Sequence, residues 1–367
     1  GLYIFNSSAT FVFLWMFFAF YYLFTFVYSD ASEIGIRYIP KYFFPIAFFL
    51  FAMQVRGVDA KYIRMCYFRG LIVYLVGSIV IFYMQSTPYL EGFSGRHFSK
   101  FVAMTAVLIA VADFLTHGAK LRNAVLGFVG LLGLYLVLQR GAFVAGAAGA
   151  IVILLTARYR RTAELKRVVL VIGFMLAGVA LLLSSERFVE YSFYRNADIG
   201  IILQDFFSGN LNLNLIRDRD RFTWISYLFS GADISSFGMG IGSVPKLLGG
   251  YVGVSHYDLH NDWLLITYEA GLAGLGVMIL AAVTMLIWTV RKMRQASGSA
   301  LAMYRAALGL MFSNYVWMGF SNVWNYASVS ITSIFVCLVV AHYFEVEERR
   351  AGTPSIQKVP SGDHTAR

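Results

Sequence analysis

Ten runs of apolar residues, each near the length of a bilayer crossing, leave this chain very few ways to fold. They fall at about 10–28, 38–54, 70–84, 98–116, 121–138, 141–156, 167–184, 259–290, 300–320 and 329–344. A helix needs roughly 20 apolar residues to traverse the hydrocarbon core, and only a helix or a closed barrel satisfies every backbone polar group there. Of the 367 residues, 59% are hydrophobic and 14% charged, whereas soluble domains carry about 25% charged residues, so a water-soluble enzyme is excluded. The 33 Phe and 23 Tyr suit side chains placed at lipid–water interfaces. The run at 259–290 is too long for one upright helix, and Gly271 and Gly274 are expected to break it, leaving 259–270 partly outside the bilayer. The expected fold class is all-α, a polytopic helical membrane protein with about ten spans.

The basic residues orient the spans. Arg56, Lys61, Arg64 and Arg69 cluster at 54–69, Lys120 and Arg122 at 117–123, Arg158, Arg160, Arg161, Lys166 and Arg167 at 157–167, and Arg291, Lys292 and Arg294 at 291–299. These loops alternate with nearly neutral ones at 29–37, 85–97, 139–140 and 321–328, and with the long segment 185–258, which has six Lys/Arg against eight Asp/Glu. Lys and Arg are retained on the cytoplasmic side, so the basic loops and both termini are expected there, with 185–258 outside. The same rule accounts for the net charge of +10 without nucleic acid. Cys66 in a basic loop and Cys337 in an apolar run make neither a disulfide framework nor a Cys-based zinc site. The first residue is Gly, consistent with a cleaved signal peptide or with the loss of early spans.

The chain then divides into N-terminal membrane helices at 1–184, a large outer loop at 185–258, C-terminal membrane helices at 259–345 and a polar, disordered tail at 346–367. Within the loop, Glu186–Arg195 and Arg221–Ser230 read as interfacial helices, with Phe222, Ile225 and Phe229 at helical spacing in the second. The polar run Gly209–Asn214 lies between them, and the turn Gly238, Gly240, Gly242 follows.

Three outer features carry chemistry. Arg140, at the turn between two spans, either snorkels to headgroups or offers a fixed cation to a phosphate. Arg217-Asp218-Arg219-Asp220-Arg221, followed by Trp224, is either a self-neutralising surface run or a set of guanidinium forks suited to bidentate phosphate binding. Trp224 and the apolar positions after it would hold that segment at the membrane surface. The third feature is His256-Tyr257-Asp258-Leu259-His260-Asn261-Asp262. Asp258 could cap the following helix, the alternating His256, Asp258 and His260 could hold a metal on a strand, or His260 could act as a base, since imidazole titrates near neutrality.

Other residues read as bland. Asp113 and His117 are expected to face water near a cytoplasmic end, and Arg305 to snorkel from the inner end of its span. Glu269 lies nine residues beyond His260, half a turn out of phase, so the two form no acid/base pair on one helix. Gly238-Met239-Gly240-Ile241-Gly242 lacks the strand–helix setting of a dinucleotide loop, and neither a phosphate-loop lysine motif nor a hydrolase nucleophile motif occurs.

The order of these pieces resembles the O-antigen ligase and O-antigen polymerase family, over roughly residues 139–290. The resemblance rests on Gln139-Arg140-Gly141, then Arg221 and Trp224, the turn Gly238-x-Gly240-x-Gly242, His260-Asn261, Glu269-Ala270-Gly271-Leu272 and Gly274. It implies an inverting glycosyltransferase with a membrane fold akin to class C glycosyltransferases, working without metal or other cofactor on the periplasmic face of the bacterial inner membrane. The implied donor is an undecaprenyl-pyrophosphate-linked glycan. The implied acceptor is the lipid A core for a ligase or another lipid-linked repeat unit for a polymerase. It implies that Arg140 and Arg221 contact the pyrophosphate, that His260 orients or deprotonates the acceptor hydroxyl, and that Arg219 can substitute for Arg221. Arg217, Asn261, Trp224 and His256 complete the expected substrate contacts. Family members often carry two further spans, and losing two at the N-terminus would preserve the orientation.

Two other readings compete. A flippase or transporter of lipid-linked sugars would carry ionisable residues deep in several spans, with repeat symmetry or broken helices. A peptidoglycan polymerase of the SEDS type shares the layout of spans and a large outer loop, but its loop aspartate motif is not found here.

Overall fold

The computed structural model describes residues 5–36, 38–55, 57, 59–84, 96–137, 140–157, 162–183, 228–229, 234–253, 259–319, 321 and 327–352. They form an all-helical protein. In chain order the helices are α1 (Phe5–Phe24), a 3-10 turn at Thr25–Tyr28, α2 (Ser32–Gly35), α3 (Ile39–Gln54), α4 (Ala60–Met84), α5 (Arg96–His117), α6 (Leu121–Val137), α7 (Arg140–Leu155) and α8 (Thr162–Leu183). They continue with α9 (Ser243–Val252), α10 (Asp262–Glu269), α11 (Gly271–Gln295), α12 (Gly298–Met318) and α13 (Ala327–Gly352). In their described residues the ten apolar runs fall mainly on helix. Among the described residues, six helical segments are long and apolar enough to cross a membrane: Thr10–Tyr28, Ser32–Gln54, Ala60–Val80, Lys100–His117, Gly271–Gln295 and Val329–Glu348. The apolar helices Leu121–Tyr135 and Gly141–Leu155 are shorter.

The solvent these helices require is visible on their outer faces. Phe13, Phe17, Phe20 and Phe24 recur along one stripe of α1 and are 47–65% exposed. Val169, Phe174 and Leu176 of α8 are at least 62% exposed. Contiguous aromatic and aliphatic surface of this kind is stable in lipid and not in water. The chain is a membrane-embedded protein.

Helices α5 and α12 form the centre, α5 packed against α4, α6, α7, α8, α12 and α13, and α12 also against α7, α11 and α13. Almost every side chain from Ala300 to Leu310 is buried, as expected for a helix apolar all round. Small residues make the approach possible. A methyl on Gly309 would sit 2.6 Å from Ile153 Cδ1 and 3.0 Å from the Gly149 carbonyl oxygen, and Ser313 Oγ donates to the Ala145 carbonyl at 2.7 Å.

One end of the bundle is basic and cross-linked. Asp113 accepts from Arg64, from Arg122 at 3.2 Å and from His117 Nδ1 at 2.9 Å, and Arg64 also reaches Ser299 Oγ at 2.9 Å. Arg305 donates to Glu164 at 3.1 Å, to Thr116 Oγ1 at 2.9 Å and to the Thr156 carbonyl at 3.0 Å. Asp113 and Arg305 therefore do not behave as the sequence suggests. Asp113 is buried instead of facing water, and Arg305 is fully buried instead of snorkelling. Each finds its partners on other helices, which removes the need to reach water. Arg64 and Cys66 belong to α4 itself, not to a loop. Helix α13 also continues past Glu345 to Gly352, because its acidic residues are held. Lys292 donates to Glu345 at 3.1 Å, the Ala60 amide to Glu347 at 2.7 Å, and Ser297 Oγ to Glu348 at 3.2 Å.

The break in the run 259–290 comes at Ala270–Gly271, between α10 and α11. Gly271 has φ +70°, a conformation that costs an ordinary residue, and it stands back to back with Gly238 at φ +79°. A Cβ on Gly271 would lie 2.5 Å from the Gly238 nitrogen. Gly274 breaks nothing. It lies inside α11, where its missing side chain admits the ring of Tyr21, 2.9 Å from a would-be Cβ.

Candidate functional site

At the bundle end opposite the basic cluster, the segment from the glycine turn to α10 forms one braced unit. Asn261 is extended, at φ −153°, and caps α10, its side chain accepting from the Leu264 amide at 3.1 Å. This is the ordinary work of an asparagine before a helix, and it gives the cap to Asn261 where Asp258 was considered. His260, half-buried, directly precedes that cap. One turn on, Trp263 Nε1 donates to the Tyr315 carbonyl at 3.0 Å, tying the start of α10 to the end of α12.

The other end of α10 is tied more heavily. Glu269 is buried, and its Oε1 accepts from the amide of Gly242, the residue before α9, at 2.8 Å and from that of Val244, in its first turn, at 3.4 Å. Carboxylate oxygens are stabilised at a helix N-terminus, where amides have no partner within the helix. Its Oε2 accepts from the Tyr22 hydroxyl of α1. The backbone adds a short ladder, Met239 N to Tyr268 O at 2.8 Å and Gly240 N to Glu269 O at 2.9 Å. From the far side, Leu272 N and Ala273 N donate to the carbonyls of Ser235 and Ser236. The 3-10 turn after α1 completes the cradle. Ile241 N donates to Thr25 Oγ1 at 3.1 Å, Ser29 Oγ to the Ile241 carbonyl at 2.6 Å, and Tyr28 OH to the Phe237 carbonyl at 2.6 Å.

The glycine turn and Glu269-Ala270-Gly271 thus interlock. Both motifs are structural, and the turn holds no dinucleotide-loop geometry. Glu269 ends α10 and His260 precedes its cap, with the helix alone spanning roughly 10 Å at ~1.5 Å per residue, so they form no acid/base pair. Asp262 and Glu269, two turns apart on one buried face, sit over α1 and α3, where Tyr22 and Tyr42 meet edge to face with centroids 5.1 Å apart.

Of the residues singled out in the sequence, the structure places His260 and Asn261 together at the head of α10. Arg140 is the first residue of α7, with its side chain outside the described part. Arg217, Arg219, Arg221, Trp224 and His256 lie outside the described residues, as do Glu186–Arg195 and Gly209–Asn214. Only Leu228 and Phe229 of Arg221–Ser230 are described, in helical conformation, with Phe229 against Tyr268 at 6.2 Å. Among the described residues, no group of three His, Cys, Asp or Glu could hold a metal ion.

Lys100 escaped notice in the sequence. It is 2% exposed near the start of α5, its ammonium 5.4 Å from the centroid of the Trp317 ring and 5.3 Å from that of Phe101. Trp317 lies two residues from Tyr315, the partner of Trp263, so this buried cation stands at the same end of the bundle as α10. A lysine inside an apolar run is itself the signal, because an ionisable group there is costly to keep. Tyr22 and Tyr42 had no such signal, being tyrosines among many in aromatic-rich spans.

No protein-family model matches this chain, and a search of curated proteins finds no match.

Proposed function

We propose that this protein is a membrane glycosyltransferase of the O-antigen ligase or polymerase type, transferring a glycan from undecaprenyl pyrophosphate to an acceptor hydroxyl on the periplasmic face. The observation that carries the reading is the ordered motif His260-Asn261 followed by Glu269-x-Gly271-Leu272-x-Gly274. In the fold Glu269 and Gly271 of that motif belong to a hydrogen-bonded brace at the foot of α10, and His260 stands just before its head. In this reading the chain crosses the inner membrane ten times, with its termini in the cytoplasm and His260 outside.

The chemistry asks for little beyond what the chain offers. A lipid pyrophosphate is a good leaving group, and guanidinium groups at Arg140 and Arg221 would stabilise the negative charge that grows on it. His260 would orient the acceptor hydroxyl and take its proton as the new glycosidic bond forms, a contribution of about 10²–10⁴-fold. Arg217, Arg219 and Trp224 would hold the donor headgroup at the membrane surface. The exposed aromatic stripe of α1 offers an isoprenoid a lateral approach from the bilayer.

The test compares a host expressing wild type with one expressing His260→Ala at equal membrane levels, resolving lipid-linked and surface glycans by size. Loss of surface polymer is expected. Accumulated single repeat units would identify a polymerase, and accumulated full-length lipid-linked chains a ligase. An unchanged profile sinks the catalytic role of His260.

A transporter of lipid-linked sugars is the second reading, and the buried carboxylates Asp262 and Glu269 beside Tyr22 and Tyr42 are the observation in its favour. It requires that His260→Ala leave bond formation intact while lipid-linked glycan accumulates on the inner face.

A further inference from the structure

We propose that Glu269 is a positioning residue. Its carboxylate ties the end of α10 to the start of α9 and to α1, and so helps set where the His260 imidazole, at the head of α10, stands. The chemical half of this inference rests on the glycosyltransferase reading; the geometric half does not.

Gly242 and Glu269 are 27 residues apart in sequence and joined by a 2.8 Å hydrogen bond. The bond brings the start of α9 against the end of α10. The backbone bonds from Met239 and Gly240 bring the two strands of chain together, but they stop short of α9. The side chain of Glu269 carries the join forward to Gly242 and Val244, and sideways to Tyr22 on α1. Three segments distant in sequence therefore meet at one side chain, beside the backbone and hydroxyl bonds that also join them.

Helix α10 is held near its head by Trp263 and at its foot by the Glu269 carboxylate together with the backbone bonds from Met239 and Gly240. With the carboxylate removed, the amides of Gly242 and Val244 lose their acceptor in a buried setting and must shift to find another. The foot of the helix keeps its backbone bonds to Met239 and Gly240 but loses its tie to Gly242, Val244 and Tyr22, so it can settle at a different tilt about Trp263. His260 lies three residues from that pivot, so a tilt of the foot moves the imidazole. A displacement of about 1 Å costs on the order of 10²-fold in a reaction that depends on a near-attack arrangement. Gln at this position keeps an oxygen for the α9 amides and an NH2 that the Tyr22 oxygen can accept, so it should restore the arrangement.

The experiment uses the full chain in membranes, as wild type, Glu269→Ala, Glu269→Gln and Tyr22→Phe. Two quantities are read: the rate of glycan transfer from a radiolabelled lipid-linked donor, and the rate at which diethyl pyrocarbonate modifies His260, followed by peptide mass spectrometry. Glu269→Ala is expected to lower kcat about 10²-fold with KM for the donor little changed, and to shift the His260 modification rate. Glu269→Gln should return both towards wild type, and Tyr22→Phe should fall between. An unchanged His260 modification rate in Glu269→Ala protein that inserts normally overturns the proposal, whatever the glycans do. Should Glu269→Ala fail to insert, wild-type behaviour of Tyr22→Phe in both readouts overturns it instead. If His260→Ala still transfers glycan, the catalytic role of His260 falls, and the His260 modification rates of the Glu269 and Tyr22 variants alone decide the positioning role.

Discussion

The indole nitrogen of Trp263 donates to the backbone carbonyl of Tyr315 at 3.0 Å, and the two rings lie 6.2 Å apart. Tyr315 is in the last turn of α12, where a carbonyl has no acceptor role left within the helix. The bond thus satisfies an orphan carbonyl while fixing the head of α10 to the most buried helix of the bundle.

Trp263→Phe keeps the ring contact and deletes that bond. A loss of about 1 kcal/mol is expected, the usual net contribution of one hydrogen bond. Thermal unfolding of detergent-solubilised protein should show a small drop, with a larger one for Trp263→Ala. Equal melting of Trp263→Phe and wild type would mean the carbonyl is satisfied in another way.

Two glycines of α11 should respond oppositely to alanine. Gly271→Ala places a Cβ at φ +70° against the Gly238 backbone, and should cost well over ~1 kcal/mol. Gly276→Ala meets nothing within 4 Å and should be neutral or stabilising by up to about 1 kcal/mol, since alanine favours helix. Membrane level and monodispersity after extraction report the difference. Similar yields for the two variants would contradict the back-to-back turn.

The buried pair Arg305–Glu164 offers a third check. Arg305→Met strands the Glu164 carboxylate, and breaking a buried pair typically costs about 3–5 kcal/mol. Adding Glu164→Met to it should recover a large part of that loss, because the uncompensated charge goes with it. Arg69→Met, at an exposed position, serves as the control. If Arg305→Met melts like Arg69→Met, Arg305 is not a buried partner of Glu164.

Orientation is testable with the native cysteines. Cys66 is exposed near the start of α4 and Cys337 is buried. A membrane-impermeant maleimide added outside intact spheroplasts should leave both unlabelled, and lysis should expose Cys66 alone. Labelling of Cys66 before lysis would invert the assignment.

The apolar runs of the sequence fell on helices, because a segment that must satisfy its own backbone in lipid has helix as its only open choice, but they missed the polar starts and ends, such as the first turns of α4 and the last of α13. The break at Gly271 was equally visible, since few residues but glycine tolerate a positive φ. Legibility ended where partners come from elsewhere in the chain. Nothing near Asp113 in sequence says that Arg64, 49 residues earlier, neutralises it. Nor does anything near Glu269 foretell Tyr22, 247 residues away. Read locally, Glu269, Gly238 and Gly242 are an acidic residue and a loose glycine turn. Only their meeting shows that they brace each other, because hydrogen bonds between distant segments depend on how helices pack, and hydropathy does not encode that. What was left to tertiary structure is therefore the role of the polar residues: Asn261 as a cap, Glu269 as a brace, Arg305 as a buried tie. The apolar pattern had already settled where the helices lie.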